Sequence, residues 1–256
     1  MARPSSQDLR GGPAGARDAA GAAPGGALGC RRGGAGDADA AAAATRVWFL
    51  LREPGAARDN VTMNEIVVIR HGQTEWSAAG RHTSYTDLDL TPEGERQARS
   101  LRPALAARPF AAVWCSPRVR ATRTAELAGL TVTEVDEDLV EWNYGAYEGI
   151  TTTSIRETNP GWDLWTDGCP GGESPKQIGA RIDQVLDRAR SVLGDGDVVV
   201  IAHGHSLRVL TARWLGLPPS DGALFALETA RISALGFEHD RPVLTMWNAA
   251  PMPSPM

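Results

Sequence analysis

Two stretches of this 256-residue chain set a histidine just beyond a short apolar run. Ile66-Val67-Val68-Ile69 leads into Arg70-His71-Gly72, and Val198-Val199-Val200-Ile201-Ala202 leads into His203-Gly204-His205. Short continuous runs rich in β-branched residues read as strands buried on both faces. In an open α/β sheet, ligands bind beyond the carboxyl ends of such strands. Neighbouring strands would therefore bring His71 and His203 to one crevice, with Gly72 and Gly204 letting the backbone turn and approach a ligand closely. A third run ends at Cys115-Ser116-Pro117, and the helix after it is expected to carry Arg118, Arg120 and Arg123 to the same edge.

Two histidines and at least two arginines around one crevice suit a phosphoryl dianion. Arginine offers a planar fork of donors to phosphate oxygens, and the start of the helix after Ser116 adds partial positive charge. A neutral imidazole can attack phosphorus, and flanking guanidinium groups keep it neutral by disfavouring a second positive charge. The transfer then needs positioning and charge stabilisation, together with a proton for the leaving oxygen. Glu141 is the candidate donor. It heads Glu141-Trp142-Asn143-Tyr144-Gly145-Ala146-Tyr147-Glu148-Gly149, which is too aromatic and glycine-rich for a mere solvated link.

The elements that must hold these residues alternate from Met63 onward. Thr91-Pro92-Glu93 opens a helix, with Thr as N-cap and Pro in the first position, that runs to about Leu101 or Ala106. Phe110 to Cys115 reads as a strand, Pro117 to Leu127 as a helix and Thr131 to Val135 as an edge strand. Residues 141–172 read as loop with one short helix, for which Thr151-Thr152-Thr153 is a start. Ser174-Pro175-Lys176-Gln177 is a capping-box start for an amphipathic helix through Ile178, Ile182, Val185, Leu186 and Val192. Asp197 to Ala202 is a strand, and Ser206 to Leu215 is a helix ending at Gly216. Ile232 to Phe237 and Val243 to Trp247 read as closing strands across His239-Asp240-Arg241-Pro242. This alternation implies an α/β fold, a three-layer α/β/α sandwich with a mostly parallel central sheet.

Four blocks together resemble the histidine phosphatase superfamily, which includes the cofactor-dependent phosphoglycerate mutases. They are Arg70-His71-Gly72, Ser116-Pro117-Arg118-Val119-Arg120-Ala121-Thr122-Arg123-Thr124-Ala125, Glu141 through Gly149, and Ala202-His203-Gly204, and the resemblance covers about residues 64–247. It implies His71 as the phosphorylated nucleophile and Arg70, Arg120 and His203 as the groups that bind the phosphoryl. Glu141 is implied as general acid and then base, with neither metal nor cofactor. Gln73, Ser77, Thr83, Ser84 and Gly204 are expected to bind substrate near the mouth.

Arg70 through Ser77, Gly80-Arg81-His82-Thr83-Ser84, Trp162 through Cys169 and Gly172-Glu173-Ser174 resemble a phosphatase subgroup. It contains broad-specificity acid phosphatases and sugar bisphosphatases. Ser77 stands where a mutase usually has Asn, Ser84 stands beside Thr83 where Gly is often found, and the segment between Glu141 and the Ser174 helix is short for a mutase. These departures favour water as acceptor. The expected activity is therefore hydrolysis of phosphate monoesters through a covalent phosphohistidine on His71. A phosphoglycerate mutase with the same intermediate, needing a bisphosphate primer, is the alternative.

Plainer roles fit the other polar and aromatic residues. His82 and His205 read as polar loop residues, Arg118 and Arg123 as solvated or ion-paired, and Glu148 as a loop cap. Trp142, Trp162 and Trp165 read as pocket wall and core. A cysteine phosphatase would need Arg six residues after Cys115, but position 121 is Ala. A metallohydrolase built on His71, His203 and His205 lacks an accompanying Asp-rich cluster. A non-catalytic phospho-ligand module is at odds with the full set of catalytic side chains.

Composition narrows the partners. Residues 1–62 are dominated by Ala, Gly and Arg, and the stretch from Met1 to about Ala44 has almost no large apolar side chain, so this tail is expected to be disordered, with translation from Met63 as the alternative. Residues 63–256 form the expected phosphatase domain. The chain carries a formal charge of −5, and the part after residue 62 is the more acidic, which argues against a broad nucleic-acid surface. Cys30, Cys115 and Cys169 are odd in number and widely spaced, as in a reducing compartment. Val47 through Leu51 is too short and too late for a secretory core, and no run reaches membrane-span length. A cytoplasmic protein acting on a small phosphorylated metabolite is expected, without nucleic acid or membrane as partner and with a homodimer allowed.

Overall fold

The computed structural model describes residues 64–106 and 108–251. The expectations for residues 1–62, including Cys30, lie outside the described residues.

Six strands form one sheet. They are β1 (Ile66–Arg70), β2 (Phe110–Cys115), β3 (Glu134–Val135), β4 (Asp197–Ala202), β5 (Ile232–Glu238) and β6 (Arg241–Ala249), in the spatial order β3-β2-β4-β1-β5-β6. The first four strands in that order are parallel, and β5 and β6 join antiparallel at one edge. The side chains of β1 alternate between two cores. Ile66 and Val68 pack with Ile178, Ile182 and Leu207, while Val67 and Ile69 pack with Leu101, Ala121 and Ala125. Helices therefore cover both faces, as the buried β-branched runs require. The expected three-layer α/β/α sandwich with a mostly parallel sheet is the observed fold.

On one face lie α2 (Pro92–Ser100), α3 (Arg102–Ala106) and α4 (Val119–Leu127), preceded by the single turn α1 (Glu75–Ala78). Pro103 has no N–H to continue the ladder, so the helix opened at Thr91 comes in two pieces. The other face carries α7 (Pro175–Val192) and α8 (Gly204–Trp214). Ser174 and Gln177 form the expected capping box at the start of α7.

Several boundaries differ from the sequence reading, among them two helix starts, at Val119 rather than Pro117 and at Gly204 rather than Ser206. The expected strand Thr131 to Val135 shrinks to β3. The closing hairpin is longer than expected and turns at His239-Asp240, with His239 at φ 54°. The stretch 141–172 holds more than one short helix. It contains a 3₁₀ turn at Gly145–Tyr147, α5 (Thr152–Thr158, capped by Thr151) and α6 (Leu164–Asp167, capped by Asp163). Each α-helical cap side chain accepts a first-turn N–H, which lets a helix of one or two turns persist.

Register places the three strand ends side by side. Arg70 pairs with Ala202 and Cys115 with Ile201. His71 N then donates to Ala202 O at 3.0 Å, and Ser116 N to Ile201 O at 3.0 Å. The crevice opens where β1 runs on toward β2 on one side and β4 toward β5 on the other, the reversal at which such sheets bind ligands.

Candidate active site

The segment after β1 is stapled to α2 and α4. Gly72 N donates to Thr124 Oγ1 at 2.9 Å, Gln73 N to Gln97 Oε1 at 3.0 Å, and Thr91 N to Gln73 O at 2.9 Å. A Cβ on Gly72 would lie 2.5 Å from Gly94 O, and one on Gly94 only 2.0 Å from Gln73 O. Gly72 is thus required for contact with α2 rather than with a ligand, which corrects the sequence reading. Gly204 leaves room for Arg70, whose guanidinium carbon would lie 3.2 Å from an added Cβ.

The same staple fixes the imidazole of His71. Its Nδ1 lies 2.7 Å from Gly72 O. A carbonyl only accepts, so Nδ1 carries the proton and Nε2 keeps its lone pair. Among the described residues Nε2 has no hydrogen-bond partner. Burial, then Arg120, then Arg70 hold this imidazole well below the usual histidine range, against a smaller opposing effect of the Gly72 bond. All of the larger effects disfavour the charged form.

Arg70 donates through Nη1 to Leu227 O at 2.6 Å, while its Nε is buried without a partner. Arg120 is wholly buried. Its Nε donates to His203 Nδ1 at 3.1 Å, its Nη1 to Thr86 O at 3.0 Å, and its Nη2 to Thr83 O at 3.3 Å and Ser84 O at 3.1 Å. Guanidinium only donates, so His203 Nδ1 is an acceptor. Its Nε2 then bears the proton and donates to Ser116 Oγ at 2.7 Å. The rings of His71 and His203 lie 5.1 Å apart. Burial and then Arg120 keep His203 well below the usual range as well.

Glu141 caps a helix from outside it. Residue His203, at the N-cap of α8, gives no side-chain cap, which leaves first-turn N–H groups to be satisfied. Glu141 Oε2 accepts from His205 N at 3.0 Å, and Oε1 from Ser206 N at 2.8 Å and Trp142 N at 2.8 Å. Oε2, with a single amide donor, is the oxygen better placed to exchange a proton. Arg181 on α7 fixes the approach to Glu141 by donating to Asp138 O at 2.6 Å and Val140 O at 2.9 Å.

These parts meet at a cleft of about 190 Å³ lined by Arg70, His71, Ser77, Thr83, Glu141 and Gly204. Arg120 and His203 stand behind His71, outside the lining. Gln73 and Ser84 are not brought to the cleft. The Gln73 side chain accepts from Thr91 Oγ1 at 2.9 Å, and Ser84 is buried with its N–H on Glu148. Nor do all three arginines after Ser116 gather at the edge. Arg123 pairs with Glu95 and Glu126, and Arg118 lies over the Tyr85 ring.

The structure adds Tyr144, His82, His205 and Arg208 to the lining. His82 packs on Tyr144 at 4.6 Å between ring centroids, and the Tyr144 hydroxyl lies 2.6 Å from His205 Nδ1. Both histidines, read from sequence as loop residues, are therefore cleft wall. The signal for Tyr144 was its place in the Glu141 block. Nothing in the sequence joined it to His205, 61 positions away. Cys115 is fully buried and its thiol is pushed up to about 12 by burial, which removes it as a nucleophile.

The chain is similar to known proteins over most of its described residues. Residues 66–250 match the model of the histidine phosphatase superfamily, branch 1. An acid phosphatase of Mycobacterium tuberculosis is 42% identical over 198 residues, 77% of this chain and 98% of its own. A sedoheptulose 1,7-bisphosphatase of Saccharomyces cerevisiae is 37% identical over 182 residues, 59% of this chain and 67% of its own. The solved structure of an open reading frame product from Mycobacterium tuberculosis superposes with a TM-score of 0.71 at 43% identity, over 73% of this chain and 98% of that one. The chain belongs to the histidine phosphatase superfamily, and it is a phosphoric monoester hydrolase.

Proposed function

We propose that this chain hydrolyses small phosphorylated metabolites in two steps, with His71 as nucleophile. His71 Nε2 attacks phosphorus, the bond from phosphorus to the leaving oxygen breaks, and Glu141 gives that oxygen a proton. Water then attacks the phosphohistidine, loses a proton to Glu141, and the P–N bond breaks to return the lone pair to Nε2. Arg70 faces the phosphoryl. Arg120 contributes charge beside His71 and orients His203, and direct contact with the phosphoryl would need it to exchange a carbonyl bond. Ser77, Thr83 and Gly204 border the leaving group, whereas Gln73 and Ser84 act through the backbone that holds the cleft. The observation that carries this reading is the His71 Nδ1–Gly72 O bond, which leaves Nε2 as the lone-pair nitrogen near the part-buried Arg70 and the wholly buried Arg120.

The names of the relatives favour water over a substrate hydroxyl as acceptor and make the phosphoglycerate mutase the less supported alternative. Among the described residues no helix is long and apolar enough to cross a membrane. Residues 63–256 as the catalytic domain and the cytoplasm as its compartment belong to the same proposal.

The test is phosphate release from an aryl phosphate, a sugar bisphosphate and a phosphoglycerate, by wild type and His71→Ala, with and without chelator. Wild type should release phosphate regardless of chelator, and His71→Ala should lose at least about 10³-fold of it. Activity surviving in His71→Ala would overturn the mechanism. Primed interconversion of phosphoglycerates with almost no release would make the chain a mutase.

A further inference from the structure

The proposed site needs Arg120 held beside His71 and His203, and a second carboxylate of the Glu141 block is tied to that task. Glu148 does not line the cleft. Its carboxylate faces the turn at residues 83–86, where Oε1 and Oε2 accept from Ser84 N at 2.9 and 3.0 Å, and Oε1 also accepts from Thr86 N at 3.1 Å. Arg120 donates to the opposite side of the same turn, to the carbonyls of Thr83, Ser84 and Thr86.

The peptide group between Thr83 and Ser84 is bonded at both ends. Its N–H points to Glu148 and its C=O to Arg120, so its dipole lies between a carboxylate and a guanidinium, where hydrogen bonds in series strengthen one another. Glu148 is itself fixed. Gly149 N donates to His82 O at 2.8 Å, and His82 N to Ile150 O at 3.0 Å. Gly149 has φ 75°, and a Cβ on it would lie 2.9 Å from the Trp76 ring.

We propose that Glu148 is a positioning residue of the phosphatase reaction. By holding the Thr83–Ser84 peptide it holds the Arg120 guanidinium, and through Arg120 it fixes which nitrogen of His203 carries the proton. This assignment rests on the reading of Arg120 and His71 given above. It differs from plain loop capping because the effect of Glu148 must pass through Arg120.

A double-mutant cycle separates the two roles. Glu148→Gln keeps the size of the side chain and one carbonyl acceptor. It should lower kcat about tenfold while changing KM for an aryl phosphate less than about twofold, and Glu148→Asp should recover part of the loss. In an Arg120→Met background, Glu148→Gln should change kcat less than about twofold. The imidazole ¹⁵N spectrum should also show His203 Nδ1 losing its fixed acceptor signature in Glu148→Gln. Equal loss in both backgrounds, a change in KM alone, or an unaltered His203 spectrum would overturn the proposal. Should Arg120→Met fail to fold, the His203 spectrum decides. If Arg120→Met alone has wild-type kcat, the reading of Arg120 fails instead, whatever Glu148→Gln does in the wild-type background.

Discussion

The His71 imidazole meets three influences that disfavour its charged form and one weaker bond that favours it. In the proposed mechanism only the neutral ring attacks, so protonation of His71 sets an acid limit on kcat/KM, which reports the free enzyme. That limit should lie well below pH 6.5, so kcat/KM measured from pH 8 downward should not fall by half at 6.5 through this group. Arg70→Met removes one of the cations that hold the ring down and should move the acid limb to higher pH. A wild-type limb centred at 6.5, or a limb that moves down in Arg70→Met, would count against His71 as the titrating nucleophile. Much of this was readable beforehand, because a histidine after a β-branched run ends a buried strand. The turning of Gln73 toward Thr91 was not readable, since it depends on how closely α2 approaches. The meeting of His82, Tyr144 and His205 comes from three separate segments.

Among the elements, the turn after β1 meets α2 backbone against backbone. Gly72 and Gly94 let two backbones touch, and a Cβ on Gly94 would also lie 2.8 Å from Gln73 N. Backbone cannot swing aside as a flexible side chain can, so Gly94→Ala should destabilise by about 1–3 kcal/mol as an overpacking change. It should also lower kcat by displacing the segment that fixes His71. Gly161→Ala, where a Cβ meets nothing within 4 Å, should change stability by less than about 0.5 kcal/mol. Urea unfolding midpoints at unchanged m-value compare the two, and equal midpoints would show that α2 can retreat without cost. From sequence, Gly94 looks like an unfavourable residue in a helix first turn, and only the approach of Gln73 explains it. The strand order, with β4 between β1 and β2, was likewise unreadable, since apolar runs identify strands without naming neighbours.

For the whole molecule, the cleft concentrates a pH dependence of folding. Four of the five histidines, His71, His82, His203 and His205, are held below the usual histidine range, with burial the largest cause in each. Above about pH 6.5 these rings are neutral in folded and unfolded chain alike and contribute no slope. Below it the unfolded chain takes up protons that the folded chain refuses, so stability falls as pH falls, by up to about 1.4 kcal/mol per pH unit for each ring. The sign is opposite to that of a histidine that gains an anionic partner on folding. Urea unfolding should therefore be nearly flat from pH 8 to 7 and decline steeply toward pH 5.5. His82→Phe removes a ring whose Nδ1 is buried without a partner, so the decline in that variant should be shallower by at most one ring's share. Inorganic phosphate, if it binds the folded chain among Arg70, His71 and Arg120, should raise stability at every pH by mass action. A stability that rises on acidification through pH 6 would mean that these rings gain protons on folding, and the neutral imidazole on which the proposed attack depends would be lost with them.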